Sequence, residues 1–388
     1  MKPKTNIVKI DTLEGFKSLE NDWNILYETS EQSTIFSSWD WMFTWWEVFH
    51  NELSRKLFIL CLYENDMLIG IAPFHIYSYY PKSIIQGRTL QFIASGNKKE
   101  ENITSEFLDL IVKSGKEELM TSAVSEYLIE HKKRWDFADF EYLLEDALVF
   151  QCFKNSKKVA TKKMQDGVRF FISPKENFES YKAQMGNRWR KMYDKKTRVL
   201  ERDGAVKVVS TTSEESPEKA LSRLADMHCE RIRDKIGYCA FDSEKFSLFH
   251  HKILKRLHPK NKAVIKTLYL DDKELATYYV FTDKDQWHYY QSGFHSAYAN
   301  RYSPLFLLIC NEIGEVVTQK MRFDFMYEPS ITSYKKEQYA AEHETMYRLY
   351  WSPAPIRFYI FNTAKFLQER SLSIKDQLFS KLKLREKS

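Results

Sequence analysis

The sequence contains few of the residues that mark non-globular chains. Its 388 residues include only 11 glycines and 10 prolines, which excludes a collagen-like or low-complexity protein. The longest apolar runs, residues 57–62 and 69–74, are far shorter than the roughly 20 residues needed to cross a bilayer, so we expect no transmembrane helix. The first residues lack the apolar stretch and cleavage site of a secretory signal. These features predict a cytoplasmic globular protein.

Cysteine is also scarce. The five cysteines form no Cys-x-x-Cys pair and are scattered as Cys61, Cys152, Cys229, Cys239 and Cys310. Neither a disulfide framework nor a zinc site is predicted by such a set. We expect reduced, mostly buried thiols and no metal, with Cys229 and Cys239 notable only for their closeness in sequence.

Positive charge is concentrated in one segment. The net charge is +6, but residues 154–202 carry 15 Lys and Arg against 5 Asp and Glu, while the rest of the chain carries 44 against 48. A local basic segment favours a phosphate-bearing partner, such as a cofactor, a nucleic acid or an anionic lipid surface. A solvated, lysine-rich surface without a partner is the alternative.

Hydrophobic periodicity predicts a first α/β unit that closes near residue 150. Apolar residues recur at helical spacing, and alternating or apolar runs bounded by turns predict strands. The predicted helices are residues 13–29, 39–50 and 117–131, and the predicted strands are residues 56–63, 67–80, 89–95 and 135–144.

The remainder of the chain predicts a second set of elements. The predicted helices are residues 174–202, 217–236 and 243–257, and the predicted strands are residues 205–210, 263–270, 274–282 and 286–294. The strands ending at Leu62-Tyr63 and Leu268-Tyr269 both run into acidic turns, 206 residues apart. An internal duplication is one hypothesis, and a generic strand-turn pattern is the other. Asp283-Lys284-Asp285 spells a metal-binding Asp-x-Asp pattern, but its place between two strands favours a solvated hairpin turn.

Residues 286–336 carry the densest functional signal, in the order strand, loop, helix, strand. Ser303 suits a helix N-cap and Pro304 suits the first helical turn. The unpaired backbone N–H groups at such a start can bind a phosphate. We therefore predict a cofactor-binding turn at Ser303, Pro304, Leu305 and Phe306, with simple capping as the alternative.

The same residues carry a resemblance to a known family. The pattern consists of a Tyr-Tyr strand at 289–290, the turn 293–295, Ser303-Pro304, Arg322-Phe323-Asp324-Phe325 and Tyr334-Lys335. It resembles the cellulose-biosynthesis (CelD/BcsL) acetyltransferase family, a relative of the FemAB peptidyltransferases and of the GNAT N-acetyltransferases. The similarity extends upstream and covers most of residues 10–340.

This resemblance implies an α/β fold of two tandem GNAT-like units, each a mixed, mostly antiparallel sheet flanked by helices. The implied boundaries are residues 1–150, residues 151–350 with the active site, and a C-terminal helix and basic tail at 351–388. Two departures stand out. Leu305 follows Ser-Pro where the family has glycine, and residues 326–329 lack the glycine that follows the Asp-Phe pair. A side chain there crowds the approach of a ligand to the backbone.

The resemblance implies direct attack of an amine on a thioester, so candidate acid and base groups matter most. Asp324 is the first candidate because a carboxylate is costly in an apolar strand, and Lys335 is its predicted partner. A buried structural pair is the alternative. His228 could act as a base or be satisfied by a carbonyl. Tyr290 could protonate the leaving thiolate or lie in the core.

Substrate-binding residues are predicted on the basic helix and near its end. Arg188 and Arg190 match the arginine positions of the family, and Arg231 and Tyr334 lie in matched segments. Charged residues at spacings of three and four predict an outward basic face opposite the apolar stripe of residues 189–200.

These observations predict an N-acyltransferase that moves an acyl group from acyl-CoA or acetyl-CoA to an amine, for example on a sugar or cell-envelope precursor. One alternative is a FemAB-like aminoacyltransferase that uses aminoacyl-tRNA, motivated by the basic segment. The other is a non-catalytic relative that binds an acyl carrier or precursor, motivated by the missing glycines. The C-terminal segment predicts an amphipathic helix that either docks on the protein or contacts an anionic membrane.

Overall fold

The computed structural model describes residues 4–51, 54–79, 87–96, 103–154, 156–211, 215–354 and 356. The helices are α1 (Leu13–Ser18), α2 (Glu20–Thr29), α3 (Trp39–Phe49), α4 (Glu117–Glu130), α5 (Phe178–Gln184), α6 (Asn187–Asp203), α7 (Pro217–Ile236), α8 (Glu244–Leu257), α9 (Ser296–Tyr302), α10 (Pro304–Thr318) and α11 (Tyr334–Tyr339). The strands are β1 (Thr5–Ile10), β2 (Lys56–Glu64), β3 (Met67–Tyr79), β4 (Gly87–Phe92), β5 (Ile111–Val112), β6 (Phe137–Leu143), β7 (Ala160–Ile172), β8 (Val206–Ser210), β9 (Ala263–Leu270), β10 (Lys273–Asp283), β11 (Gln286–Phe294), β12 (Arg322–Glu328) and β13 (Glu342–Ser352).

These strands form one continuous mixed sheet. Its order is β1-β2-β3-β4-β6-β13-β7-β12-β11-β10-β9-β8, with β5 paired to β3. Neighbouring strands are antiparallel except for two parallel pairs, β4 with β6 and β11 with β12. The fold is therefore the predicted α/β class, with one parallel pair in each half of the sheet.

The two halves repeat the same local irregularity. In the first hairpin, Leu62 pairs with Gly70 and Tyr63 with Leu68, so Ile69 is an extra residue. In the second hairpin, Leu268 pairs with Ala276 and Tyr269 with Glu274, so Leu275 is extra. The two bulged residues lie 206 residues apart, at the spacing of the similar strand ends. Because bulges are specific features and not defects, the shared position supports an internal duplication.

The two halves exchange a strand at the centre of the sheet. β7 follows the first half in sequence but pairs with β12 of the second half, and β13 follows the second half but pairs with β6 of the first. β7 and β13 also pair with each other along their length. The sheet is therefore continuous across the two halves.

Helices cover both faces of the second half of the sheet. On one face, α7 and α8 pack with α3 of the first half in a core that includes Trp41, Phe249 and Phe281. On the other face, α10 packs with the apolar stripe of α6 in a second core that includes Leu200 and Tyr278. The amphipathic pattern predicted for the basic helix is confirmed, since Trp189, Met192, Tyr193 and Val199 also pack against this second core.

Two predicted helices are interrupted. The helix predicted at residues 13–29 is two helices that meet at Leu19, and the helix predicted at 174–202 is α5 and α6 separated by Met185 and Gly186. Met185 and Gly186 have extended ψ angles of 143° and 145°, which ends one helix and starts the next. Strands β1, β7 and β13 were not predicted, because their alternation is weak and β7 lies in the basic segment.

The expectation of five reduced cysteines is wrong for one pair. Cys229 and Cys239 form a disulfide, whereas Cys61, Cys152 and Cys310 are free and buried. The chain reverses at Gly237, whose φ of 81° lies in the left-handed region that glycine adopts readily. This turn at the end of α7 brings the two cysteine Cα atoms to 5.3 Å, within bonding range of a disulfide.

The Asp283-Lys284 pattern forms the predicted hairpin turn, but Asp283 is not solvated. It is buried, pairs with Lys262 at 2.7 Å and accepts a hydrogen bond from the Tyr27 hydroxyl. Lys284 donates to the Ser30 carbonyl at 2.6 Å. The turn therefore joins β10 and β11 to the end of α2.

The predicted C-terminal helix and basic tail lie almost entirely outside the described residues, apart from residues 351–354 and 356. Within the described ranges, no helix has the length and hydropathy needed to cross a membrane.

Candidate functional site

A cleft opens where the two parallel strands of the second unit separate. β11 and β12 pair from Gln286 with Arg322 to His288 with Asp324, and this is the end of their pairing. Beyond it, β11 bulges at Tyr290 against β10, and β12 shifts register against β7 between Asp324 and Tyr327. The resulting cavity, here called the strand cleft, has a volume of about 460 Å³.

The corresponding strands of the first unit separate around packed aromatic side chains. Their parallel pairing ends at Leu90 with Ala138. Beyond that point Phe92 and Phe140 lie with ring centroids 4.7 Å apart, and Phe140 packs on Trp351 at 4.9 Å. Aromatic side chains therefore fill the space in the first unit that stays open in the second.

A second cavity lies at the start of α10 and is here called the helix groove. It has a volume of about 380 Å³ and mostly apolar walls that include Trp189, Phe294 and Phe306. Arg231, Leu305 and Tyr334 line both cavities, so the groove and the cleft meet at these three residues.

The start of α10 differs from the predicted cap. Pro304 occupies the first turn as predicted, but Ser303 adopts φ 50° and ψ 53° and its side chain does not cap the helix. Its N–H and hydroxyl both bond the Ala299 carbonyl, at 2.9 Å and 3.4 Å. Because the first N–H groups of a helix lack partners within the helix, Leu305 and Phe306 present donors to the groove.

Both positions where glycine was expected have distinct local structure. The Leu305 side chain lies at the junction of groove and cleft. Met326 adopts a φ of 66°, in the left-handed region that favours glycine, and it lines the cleft. Strained backbone of this kind concentrates at functional sites. The chain thus keeps a glycine-like backbone at residue 326 while presenting a larger side chain.

Asp324 does not pair with Lys335 as predicted. It is fully buried, its Oδ2 lies 3.2 Å from Arg169 Nη1, and its Oδ1 accepts the Met326 N–H at 2.7 Å. Burial raises the pKa of Asp324, an effect that Arg169 opposes. Lys335 instead binds Glu328 at 2.5 Å and the Phe325 carbonyl at 3.0 Å. The pairing is different because the Asp324 carboxylate faces Arg169 on β7, whereas Lys335 lies in the first turn of α11.

The first unit contains a counterpart of the Asp324 pair. Asp139 on β6 forms two 2.6 Å hydrogen bonds with Arg348 on β13. Arg348 lies two residues before Tyr350, the partner of Asp139 in the sheet, and Arg169 lies two residues before Phe171, the partner of Asp324. The same pair therefore joins each unit to its exchanged strand. This repetition favours a structural role for Asp324, which does not line the strand cleft.

Glu106 is a cleft residue that the sequence did not reveal. It lies in the first unit between β4 and β5, is only 1% exposed, and lines the strand cleft of the second unit. Its Oε2 accepts the Tyr327 N–H at 2.8 Å. Burial and the neighbouring Asp324 raise the pKa of Glu106 well above its usual value. The only sequence signal is a carboxylate within the apolar stretch before β5.

His228 and Tyr290 are engaged by backbone carbonyls. His228 is buried on α7, with its Nδ1 2.9 Å from the Ser292 carbonyl oxygen, and burial lowers its pKa. It does not line the strand cleft, so the carbonyl-satisfied alternative describes its placement. The Tyr290 ring lines the cleft, but its hydroxyl donates to the Ile103 carbonyl. Their predicted catalytic roles stay predictions.

The predicted substrate-binding residues divide into two groups. Arg231 and Tyr334 lie at the junction of cleft and groove, and the Arg231 guanidinium lies 5.5 Å from the Phe294 ring centroid. Arg188 is exposed and lies over the neighbouring Trp189 ring at 5.1 Å, while Arg190 is partly buried. Neither of these two lines either cavity, although Trp189 between them does.

No group of three or more His, Cys, Asp or Glu side chains within the described segments is arranged to hold a metal ion. The charged groups of the strand cleft are instead two carboxylates and two cations, from Glu106, Glu328, Arg231 and Lys335.

Comparisons with known proteins agree with this architecture. Residues 187–336 match the acetyltransferase (GNAT) domain family, and no curated protein matches the sequence. The structure is similar to that of FemX, with 10% identity, a TM-score of 0.56 and coverage of 89% of this chain and 96% of that one. It is also similar to L-PGS from Bacillus licheniformis, with 11% identity, a TM-score of 0.50 and coverage of 85% and 91%. Residues 187–336 thus resemble the acetyltransferase (GNAT) domain family, within a chain that shares its overall fold with FemX.

Proposed function

We propose that this protein is an N-acyltransferase that moves an acyl group from an acyl-CoA thioester to an amine by direct attack. One observation carries the proposal. A buried carboxylate, Glu106, and a buried ammonium, Lys335, line a cleft that meets the groove at the start of α10. A base, a cation and an anion-binding helix start are the groups that such a transfer needs.

The helix groove suits the donor. The N–H groups of Leu305 and Phe306 provide donors for phosphate oxygens, and the positive end of α10 favours negative charge. The apolar walls at Trp189 and Phe294 suit the uncharged part of a coenzyme A molecule. Leu305, at the junction with the cleft, narrows the passage for the acyl group, so the size of this side chain would select among acyl chains.

Glu106 suits the role of general base. An amine acceptor arrives as an ammonium ion and must lose a proton before its nitrogen attacks the carbonyl carbon. In the proposed reaction this proton passes to Glu106 and the C–N bond forms. The nitrogen gives its second proton to the sulfur as the C–S bond breaks, so coenzyme A leaves as the thiol. The raised pKa makes Glu106 a stronger base than an exposed glutamate.

Lys335 suits stabilisation of the carbonyl oxygen as negative charge develops on it. Two of its ammonium N–H groups are held by Glu328 and by the Phe325 carbonyl, and the third is proposed to donate to the carbonyl oxygen of the donor. A cation fixed in a buried position stabilises transition-state charge without having to reorganise during the reaction. Asp324 is proposed to position the backbone of the cleft, since its carboxylate accepts the N–H of Met326 beside the cleft.

The acceptor is proposed to be an amine on a sugar or cell-envelope precursor, in line with the resemblance to the CelD/BcsL family. Arg231 faces both cavities and offers a partner for an anionic group on either substrate. The cleft volume of about 460 Å³ is within the range typical of small-molecule sites.

A FemAB-like transfer from aminoacyl-tRNA is the second candidate. The exposed face of α6 is basic, and the same helix lines the helix groove through Trp189 and Met192. A tRNA whose phosphate backbone is bound along α6 would have its aminoacyl end directed toward the groove. A third reading, ligand binding without catalysis, rests on the side chains of Leu305 and Met326.

Calorimetric titration separates these candidates. Full-length protein would be titrated with acetyl-, hexanoyl- and palmitoyl-CoA, and with tRNA at low and high salt. We expect coenzyme A binding that Ser303→Glu abolishes by repelling phosphate, and that Ser122→Glu, on the exposed face of α4, leaves unchanged. Strong salt-dependent binding of tRNA alone would favour the second candidate. Binding of a donor without turnover on any amine tested would favour the third.

A further inference from the structure

The first unit has a large cavity of its own, remote in sequence from the GNAT domain. It has a volume of about 500 Å³ and lies beside α3, at the edge of the sheet where β2 and β4 begin and β3 ends. We call it the basic cavity, because its described lining includes five Lys and Arg side chains and one carboxylate, that of Asp11. The five are Lys9, Arg55, Lys56, Arg88 and Arg134.

Two of these cations are neutralised by nearby carboxylates. Lys9 binds Asp11 at 2.5 Å, and Arg88 binds Asp136 at 3.0 Å. In the part of the chain that the structure describes, Lys56 and Arg134 form no such ion pair, and both are exposed at the cavity. Arg55 is buried close to them and donates hydrogen bonds to the carbonyls of Phe49 and Gly96. The cavity therefore has an excess of positive charge.

The similar hairpin of the second unit offers a comparison for Lys56. Lys56 is the first residue of β2, and Lys262 lies 206 residues later, directly before β9. Lys262 is neutralised by Asp283 at 2.7 Å and covered by α2 through Tyr27. The first-unit residue at the Asp283 position is Tyr77, which carries no charge to balance Lys56. Asp283 thus balances Lys262 in the second unit, whereas Tyr77 at the corresponding position cannot balance Lys56.

The walls of the basic cavity also include an apolar part. Trp46, Leu57 and Phe58 line it and are each at most 5% exposed, and Ile76 lies beside them. A ligand that fits must combine an anion for the basic groups with an apolar or aromatic body for these side chains. A phosphate suits the charge best, because it carries up to two negative charges and several acceptor oxygens.

We propose that the basic cavity binds a phosphate ester with an apolar or aromatic body, at a site separate from the strand cleft and the helix groove. Lys56 and Arg134 contact the phosphate, and Trp46 and its neighbours contact the body. Such a ligand could come from solution as a nucleotide or from a membrane as an anionic lipid headgroup, and both present the same phosphate chemistry.

The test uses the full chain with three probes. Adenosine monophosphate and inorganic phosphate are titrated by calorimetry, and vesicles of phosphatidylglycerol or phosphatidylcholine are used for co-sedimentation. The test variant is Lys56→Ala with Arg134→Ala. The matched control is Lys132→Ala with Lys133→Ala, which removes the same charge from exposed neighbours outside the cavity. Thermal unfolding confirms that both variants are folded.

We expect one phosphate ester to bind and the test variant to weaken that binding at least about tenfold, as two charge-assisted contacts are lost. Binding must persist in the control and in Ser303→Glu, which affects only the helix groove. Preference for adenosine monophosphate identifies a soluble ligand, and preference for phosphatidylglycerol over phosphatidylcholine identifies a lipid headgroup. The proposal is overturned if no probe binds, or if the test variant binds as tightly as the unmodified protein.

Discussion

Replacing Glu106 by glutamine tests the proposed chemistry most directly. Glutamine has nearly the same size, and its carbonyl oxygen can still accept the Tyr327 N–H that Glu106 Oε2 accepts at 2.8 Å. The substitution therefore removes the proton acceptor while keeping the packing and the hydrogen bond. Because the side chain is only 1% exposed, few water molecules can reach this position and accept the proton in place of Glu106.

A positioned general base typically contributes a factor of about 10² to 10⁴ to the rate. We expect Glu106→Gln to lower kcat within this range and to change the KM for acyl-CoA little, since the donor lies in the helix groove. The free energy of unfolding at neutral pH should stay equal or rise, because the raised pKa means that burying the Glu106 charge opposes folding.

The assay is steady-state release of coenzyme A thiol from acetyl-CoA with amino sugars as acceptors, measured from pH 5 to pH 9. For the unmodified protein, kcat/KM should rise as the pH passes through the raised pKa of Glu106. The glutamine variant should lack that rise. Glu337→Gln, an exposed carboxylate on α11, is the matched control and should leave the rate unchanged. A Glu106→Gln enzyme within twofold of the unmodified kcat would refute the assignment.

Three further predictions concern stability and packing. Arg169→Met and Arg348→Met should each lower the free energy of unfolding by about 3 kcal/mol in urea titrations, because each leaves a buried aspartate, Asp324 or Asp139, without its arginine; a large loss for only one of them would contradict the shared structural role. His250 is buried among aromatic rings, and burial lowers its pKa to about 3. Between about pH 6.5 and pH 3 the unfolded chain therefore binds a proton at His250 that the folded protein does not, so the free energy of unfolding falls as the pH falls. His250→Phe should reduce this dependence of the free energy of unfolding on pH by about 1.4 kcal/mol per pH unit. An unchanged dependence would show that the histidine is protonated in the folded protein. Gly293→Ala should destabilise the protein by about 1–3 kcal/mol and weaken activity, because its Cβ would lie 2.6 Å from the backbone nitrogen of His228; a thermal melt at the unmodified temperature would exclude that close approach.

The repeated Asp–Arg pair changes how the Asp-Phe motif is interpreted. Seen alone, a carboxylate in an apolar strand is a good candidate for a catalytic group. The Asp139–Arg348 pair shows the same arrangement in the unit whose strand separation is filled by Phe92 and Phe140. The feature that distinguishes the second unit is instead Glu106, which the first unit contributes across the sheet. The strand cleft is thus built from both units.

Local sequence determined most of the secondary structure. The two hairpins, the aromatic helix α3 and helices α4, α7 and α8 follow from periodicity and turn residues within a few positions of each other. The same local signals located Pro304 in the first turn of α10 and the separation of charged and apolar faces on α6. These features depend on near neighbours in the chain, so they could be predicted from the printed sequence.

Only the tertiary structure decided which distant residues meet. Arg169 is the partner of Asp324, Cys239 is the partner of Cys229, and Glu106 enters a cleft between β11 and β12, which lie about 180 to 220 residues later in the chain. β7 and β13 exchange between the units, and no local sequence pattern specifies which strands they pair with. The sequence determines which side chains can carry charge or bind a proton. The energy of burying them together, which depends on long-range packing, determines their partners and their chemistry.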